Sequence, residues 1–152
     1  MSKDVDLTEI LVGIRLLQQS FDAFDEAAAA RLALNRTDLR CLDVVLGAGP
    51  QSAGQLSAAL KLSPAATTTV IDRLERVGLV ARTRDPGNRR RVLVEATDEA
   101  RAAEAEIFTP VGQAGAEALA RYGPAELAVI NDFLVTARAV QQEQIDRVRG
   151  LS

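Results

Sequence analysis

The sequence has no histidine and no tryptophan, a single cysteine (Cys41) and only 3% aromatic residues. Each shortage removes a class of chemistry. Without histidine, neither a His-based catalytic triad nor a His/Cys zinc site has the residues it needs, so no metal and no cofactor are expected. One cysteine cannot close an intramolecular disulfide. With no signal-peptide pattern and no apolar run near the roughly 18 residues of a membrane span, the chain reads as cytoplasmic, with no membrane partner. The longest uncharged stretch, Val44 to Leu60, is broken by Gly47, Gly49 and Pro50. No nucleotide-binding loop or catalytic constellation is visible, which argues against an enzyme. What is abundant is alanine and leucine, in a chain of 152 residues that is 47% apolar. That composition predicts a mainly α protein with an aliphatic core, large enough for one domain plus an appendage.

Charge is unevenly placed. The net charge is −3, yet seven arginines (Arg73, Arg76, Arg82, Arg84, Arg89, Arg90, Arg91) face only Glu75 and Asp85 between residues 73 and 91, a local excess of +5 that leaves −8 on the remainder. An arginine-rich segment in an acidic body is either a solvated loop or an edge that binds a polyanion.

Periodicity places that segment. Leu7, Ile10, Ile14, Leu17, Phe21, Phe24 and Ala28 alternate steps of three and four, which predicts a long helix over about residues 5–33. Thr37 is the expected cap of a second helix, with Leu39, Leu42, Val45 and Leu46 inward. Ser52 and Gln55 form a capping box for a short third helix carrying Leu56, Ala59 and Leu60. Ser63-Pro64 opens a fourth, running to about Val77, burying Ala66, Val70, Ile71 and Leu74 and stopped by Gly78. The period then falls to two. Residues 79–83 and 91–95 read as strands around a turn at Asp85-Pro86-Gly87-Asn88. Thr97 caps a further helix expected to reach about Tyr122 with a kink at Pro110. Gly123-Pro124 restarts the chain as a last helix with Leu127, Ile130, Leu134, Ala137, Ile145 and Val148 at three/four spacing.

This order is a winged helix-turn-helix with a small β-hairpin wing, plus long terminal helices. Residues 35–97 are expected to form the DNA-binding domain, and 1–34 with 98–152 a helical dimerisation region, because the terminal stripes exceed what one small domain can cover. The outward face of the fourth helix is expected to carry Ala65, Thr67, Thr68, Thr69, Arg73 and Arg76. Threonine hydroxyls and the methyls of alanine and threonine suit base edges in a major groove. The hairpin adds Arg82, Arg84, Arg89, Arg90 and Arg91 for phosphates or a minor groove. A winged-helix adaptor or anti-regulator working through protein contacts is the alternative, but it would not need those arginines.

The run Ser63-Pro64-Ala65-Ala66-Thr67-Thr68-Thr69-Val70-Ile71-Asp72-Arg73-Leu74-Glu75-Arg76-Val77-Gly78-Leu79-Val80 resembles the recognition helix and wing entry of the MarR family. The run from Arg82 through Asn88, Arg89, Arg90 and Arg91 to Thr97 resembles its wing signature. The resemblance covers nearly the whole chain. It implies a homodimeric regulator, a repressor in mode, on a pseudo-palindromic double-stranded DNA operator, with affinity controlled by a small molecule or by redox state. By position, Arg90 matches the minor-groove arginine, Arg89 the variable residue before it, and Asn88 the acidic residue that braces it. Asn88 departs from the family, as does Ala96, where leucine is usual. The residues expected at DNA are thus Ser63, Pro64, Ala65, Thr67, Thr68, Thr69, Arg73, Arg82, Arg84, Asn88, Arg89 and Arg90. Peroxide-sensing members carry a cysteine early in the first helix. Cys41 lies instead in the second, beside Leu42 and Val45, and reads as a small buried hydrophobe.

Overall fold

The computed structural model describes residues 5–151. The chain divides into two compact units, with the boundary between Phe108 and Thr109.

In the first unit, α1 spans Leu7–Arg31 and is capped by Asp6, whose carboxylate accepts from the Thr8 amide at 3.3 Å. Helix α2 spans Arg36–Ala48. It starts earlier than the Thr37 cap expected from sequence, because the Asn35 side chain accepts from the Asp38 amide at 2.8 Å and takes the capping role. Helices α3 (Ala53–Leu60) and α4 (Pro64–Arg76) follow, with the Ser52/Gln55 capping box and the Ser63 cap in their expected places. Lys61 makes the sharp turn between them in the left-handed region, at φ 54°.

Strands β1 (Val80–Asp85) and β2 (Asn88–Ala96) form an antiparallel hairpin, longer at its tip than the expected strands. Gly78, at φ 79°, turns the chain from α4 into β1. A short third rung was not legible in the sequence: Gln51 pairs with Val94 through backbone bonds of 2.9 and 2.7 Å. It fastens the loop before α3 to the base of the wing.

The main core gathers Leu42 and Val45 of α2, Leu56 and Leu60 of α3, Val70, Ile71 and Leu74 of α4, and Val80 and Val94 of the hairpin. It is aliphatic, and it fixes the angle between α3, α4 and the wing. Each fully buried leucine there contributes about 1.5–3 kcal/mol. A smaller cluster of Ala28, Ala29 and Leu39 packs against Phe24, Ile107 and Phe108, the two phenyl rings meeting edge-on at 5.9 Å.

Thr97 caps α5 (Asp98–Ala103) and also donates to the Gly78 carbonyl at 2.6 Å, tying the end of the wing to its start. The single kinked helix expected from residue 98 to about 122 is replaced by α5, a π-helical stretch at Glu104–Phe108, and α6 (Thr109–Leu119). Proline lacks the amide hydrogen and crowds the carbonyl four residues back. The wide π turn immediately before Pro110 is one way a helix accommodates that.

In the second unit, α6 is followed by α7 (Pro124–Arg149), which starts at Gly123-Pro124 as the sequence suggests. Neither helix buries a residue. Leu127, Phe133, Leu134, Ile145 and Val148 of α7 are exposed, as are Leu7, Ile10, Leu16, Leu17 and Phe21 of α1 in the first unit. Among the described residues, no helix is long and apolar enough to cross a membrane.

Candidate nucleic-acid interface

The site is built on the α3–α4 pair. Ser63 accepts from the Ala66 amide at 3.2 Å, and Pro64 occupies the first helical position, where its missing amide hydrogen costs nothing. The outward face of α4 carries Pro64, Ala65, Thr68 and Thr69, all exposed. Thr68 and Thr69 turn their hydroxyls back along the helix and donate to the carbonyls of Pro64 (3.0 Å) and Ala65 (3.1 Å).

Thr67 does not share this face, contrary to the sequence-based expectation. It is fully buried, and its hydroxyl lies 2.8 Å from that of Ser57 and 2.9 Å from the Ser63 carbonyl. The helical period explains the error, since Thr67 stands three before Val70 and four before Ile71, on the core side. The threonine run conceals the change of face, and Ala66 beside it is only partly buried. Thr67 is a pin between α3 and α4, and it cannot reach a base.

Arg73 is likewise occupied. Its guanidinium grips Asp38 with Nε 3.0 Å from each carboxylate oxygen and Nη2 2.6 Å from Oδ1. Asp38 is buried in the first turn of α2, and Arg73 lies in the last turn of α4, so the pair also complements both helix dipoles. The hydrogen bonds to Asp38 raise the arginine pKa above its usual value.

Arg82, at the base of the wing, donates to Asp72 at 2.5 Å and Glu75 at 2.8 Å, and these contacts raise its pKa too. Its charge is taken up by two carboxylates of α4. Arg91 contacts Gln55 at 3.0 Å and lies 3.7 Å from Asp85. Arg84 reaches across the hairpin to the Arg89 carbonyl at 3.1 Å.

The tip of the wing differs. Pairing runs regularly from Val80↔Ala96 to Arg84↔Val92 and then jumps to Asp85↔Asn88, so Arg89, Arg90 and Arg91 bulge from β2 outside the backbone register. Asp85 accepts from the Gly87 amide at 2.8 Å, which holds the turn. Asn88 accepts from the Arg90 backbone amide at 3.1 Å. It therefore positions the Arg90 backbone, rather than bracing the guanidinium as the acidic residue it replaces is expected to do. Among the described residues, the guanidinium groups of Arg89 and Arg90 have no hydrogen-bond or ion-pair partner. The local charge balance gave no sign of which arginines are occupied; Asp38, which takes up Arg73, comes from α2 and is distant in sequence, whereas Asp72 and Glu75, which take up Arg82, come from nearby α4.

Two further groups on α2 have raised pKa values. Cys41 is fully buried, and burial, with Asp38 nearby, pushes its thiol up to about 11. Asp43 of α2 is pushed up to about 6 by desolvation and by the charges of Asp25 and Glu104. Among the described residues, no cluster of His, Cys, Asp or Glu is placed to hold a metal ion.

A short helix pair braced by a core, with a two-stranded wing beside it, defines a winged helix-turn-helix, a module that DNA-binding regulators use. The chain belongs to the MarR family, whose model matches residues 34–92. It is 34% identical over 126 residues to the HTH-type transcriptional regulator YcgE of Bacillus subtilis, across 83% of this chain and 82% of that protein. Solved structures agree on the fold. A MarR-like transcriptional regulator of Thermotoga maritima superposes with a TM-score of 0.67 at 23% identity, over 90% of this chain and 98% of that one. A MarR family protein of Bacillus stearothermophilus gives 0.65 at 23% identity, over 91% and 95%.

Proposed function

We propose that the protein is a homodimeric repressor that places α4 in the major groove and the wing tip in the minor groove of a pseudo-palindromic operator. Residues 35–97 bind DNA in this reading, and residues 1–34 with 98–152 hold the dimer. The observation that carries it is the selective neutralisation of the arginine cluster. Arg73 and Arg82 are paired within the protein, while Arg89 and Arg90 stand uncompensated on a bulge at the tip. Arginine suits a narrow minor groove because its planar cation is weakly hydrated. Ser63, Pro64, Ala65, Thr68 and Thr69 meet the major groove, Arg84 supports the wing near phosphate, and Asn88 aims Arg90.

The exposed apolar residues of α1 and α7 support the dimer, since uncovered stripes of this kind mark interfaces. A two-fold dimer sets its half-sites about 10 base pairs apart. With Cys41 buried and its thiol pushed up to about 11, control by a small organic ligand is favoured over control by oxidation. Footprinting on DNA selected from a genomic pool tests this reading. Two protected half-sites about one helical turn apart support it; a single asymmetric half-site, or no protected sequence at all, overturns it. The second outcome would favour the protein-contact adaptor.

A further inference from the structure

The donor state of the recognition helix has a consequence for sequence preference, which rests on the reading that α4 enters the major groove. The exposed face of α4 runs through Ala65, Thr68, Thr69 and Asp72. Each threonine has one hydroxyl proton, and both protons are already donated within the helix, to Pro64 and Ala65. Asp72 has only acceptors, and its Oδ1 is held by Arg82 at 2.5 Å. Pro64 and Ala65 add hydrocarbon alone. Beyond the Ser63 cap, whose hydroxyl accepts from the Ala66 amide, the face around Thr68 and Thr69 therefore presents methyl groups and oxygen lone pairs, with no free side-chain donor.

Base edges differ in what they accept from such a surface. Guanine offers only acceptors, N7 and O6, to the major groove, so it meets threonine lone pairs with like polarity and gains no bond. Cytosine offers an N4 amino donor but no methyl; adenine offers the N6 amino donor and its partner thymine adds a methyl group, so only the A·T pair matches both features of this face. We infer that α4 reads A·T pairs through thymine methyls and adenine amino groups, and discriminates against guanine at the base pairs facing Thr68 and Thr69. To donate to guanine, either threonine would have to give up its bond to the preceding turn.

The test combines selection from random double-stranded DNA, using the full-length protein, with anisotropy on the selected operator and single-site variants. In one series thymine is replaced by uracil, which removes only the methyl group. Losing one buried methyl is expected to weaken binding about fourfold per half-site at one or two positions. Guanine at those positions should cost about tenfold, the order of one mismatched base pair. Thr68→Ser keeps the hydroxyl and removes the methyl, and should erase the thymine/uracil difference at its position. Thr68→Val keeps a methyl there and should retain it. Invariant guanines beneath α4, or uracil bound as well as thymine at every position by the parent protein, would overturn the inference while leaving the operator reading intact. Failure to enrich any sequence would instead remove the operator reading, and this inference with it.

Discussion

Arg73 provides a sharp separation between a residue that touches DNA and one that holds the fold. Its side chain is 35% exposed and that of Asp38 only 4%, so Arg73→Ala leaves a buried carboxylate without its cation. Removing one partner of a buried pair typically costs about 3–5 kcal/mol. Two features reduce the cost here. Arg73 is partly solvated, and Asp38 keeps the favourable dipole at the start of α2 as well as the Asn35 cap beside it. A loss of about 2–4 kcal/mol is expected, enough to lower the melting temperature by roughly 4–16 °C for a chain of this size. The assay is urea unfolding at one fixed protein concentration. The Asp38→Ala/Arg73→Ala double variant should lie closer to the parent than Arg73→Ala alone, because it leaves no unpaired charge. In the absence of urea and at low temperature, Arg73→Ala should still bind operator within a few fold of the parent. An unchanged unfolding midpoint together with a tenfold or greater loss of DNA affinity would refute the reasoning and put Arg73 on a phosphate.

Other expectations follow from the ionisable and apolar groups. Asp43 has a folded pKa of about 6 against 3.8 for the free side chain. The native state therefore takes up its proton first, and this group's contribution to stability rises as pH falls from about 6 towards 4 and is lost as pH rises through 6. Asp43→Asn should stabilise the protein at pH 7.5 and flatten that part of the stability profile; an unchanged profile would contradict the cause given. Cys41, buried and pushed up to about 11, should resist alkylation by iodoacetamide at pH 8 in the native state and react on unfolding, while rapid native labelling would reopen a redox role. Sedimentation equilibrium at micromolar concentration should give a dimer, and a stable monomer would leave the exposed stripes of α1 and α7 unexplained.

Much of this architecture could be read from local signals. The caps at Ser52, Ser63 and Thr97 each sit where a side-chain oxygen meets the first free amides of a helix, so short motifs were enough to place α3, α4 and α5. Pro64 and Gly78 mark the ends of α4 for equally local reasons. What escaped depends on contacts distant in the chain. The Gln51–Val94 rung joins residues that no periodicity relates, and the Asp38–Arg73 pair spans α2 and α4. The charge count over residues 73–91 could include Glu75 but not Asp38 and Asp72, which lie outside it and neutralise Arg73 and Arg82. Thr67 was misplaced for a subtler reason. A run of three identical polar residues carries no periodic signal of its own, and only the register imposed by Val70 and Ile71 turns its first member inward. The π stretch at Glu104–Phe108 escaped because Pro110 signals a disturbed helix but not that the turn ahead of it widens.

The central claim, that the uncompensated wing-tip arginines Arg89 and Arg90 bind DNA while Arg73 and Arg82 hold the protein together, is tested most directly by a salt series with Arg90→Ala. Fluorescence anisotropy would follow the parent and the variant on operator and scrambled duplexes between about 50 and 200 mM salt, the range over which a protein making 6–10 phosphate contacts loses roughly a thousandfold or more in affinity. Arg90→Ala should bind operator far more weakly, with its logarithmic salt slope smaller by about two because a dimer loses one cation per protomer, and its urea midpoint should match the parent's. Equal affinity and equal slope for parent and variant would contradict the account and return the bulged wing tip to a solvated loop.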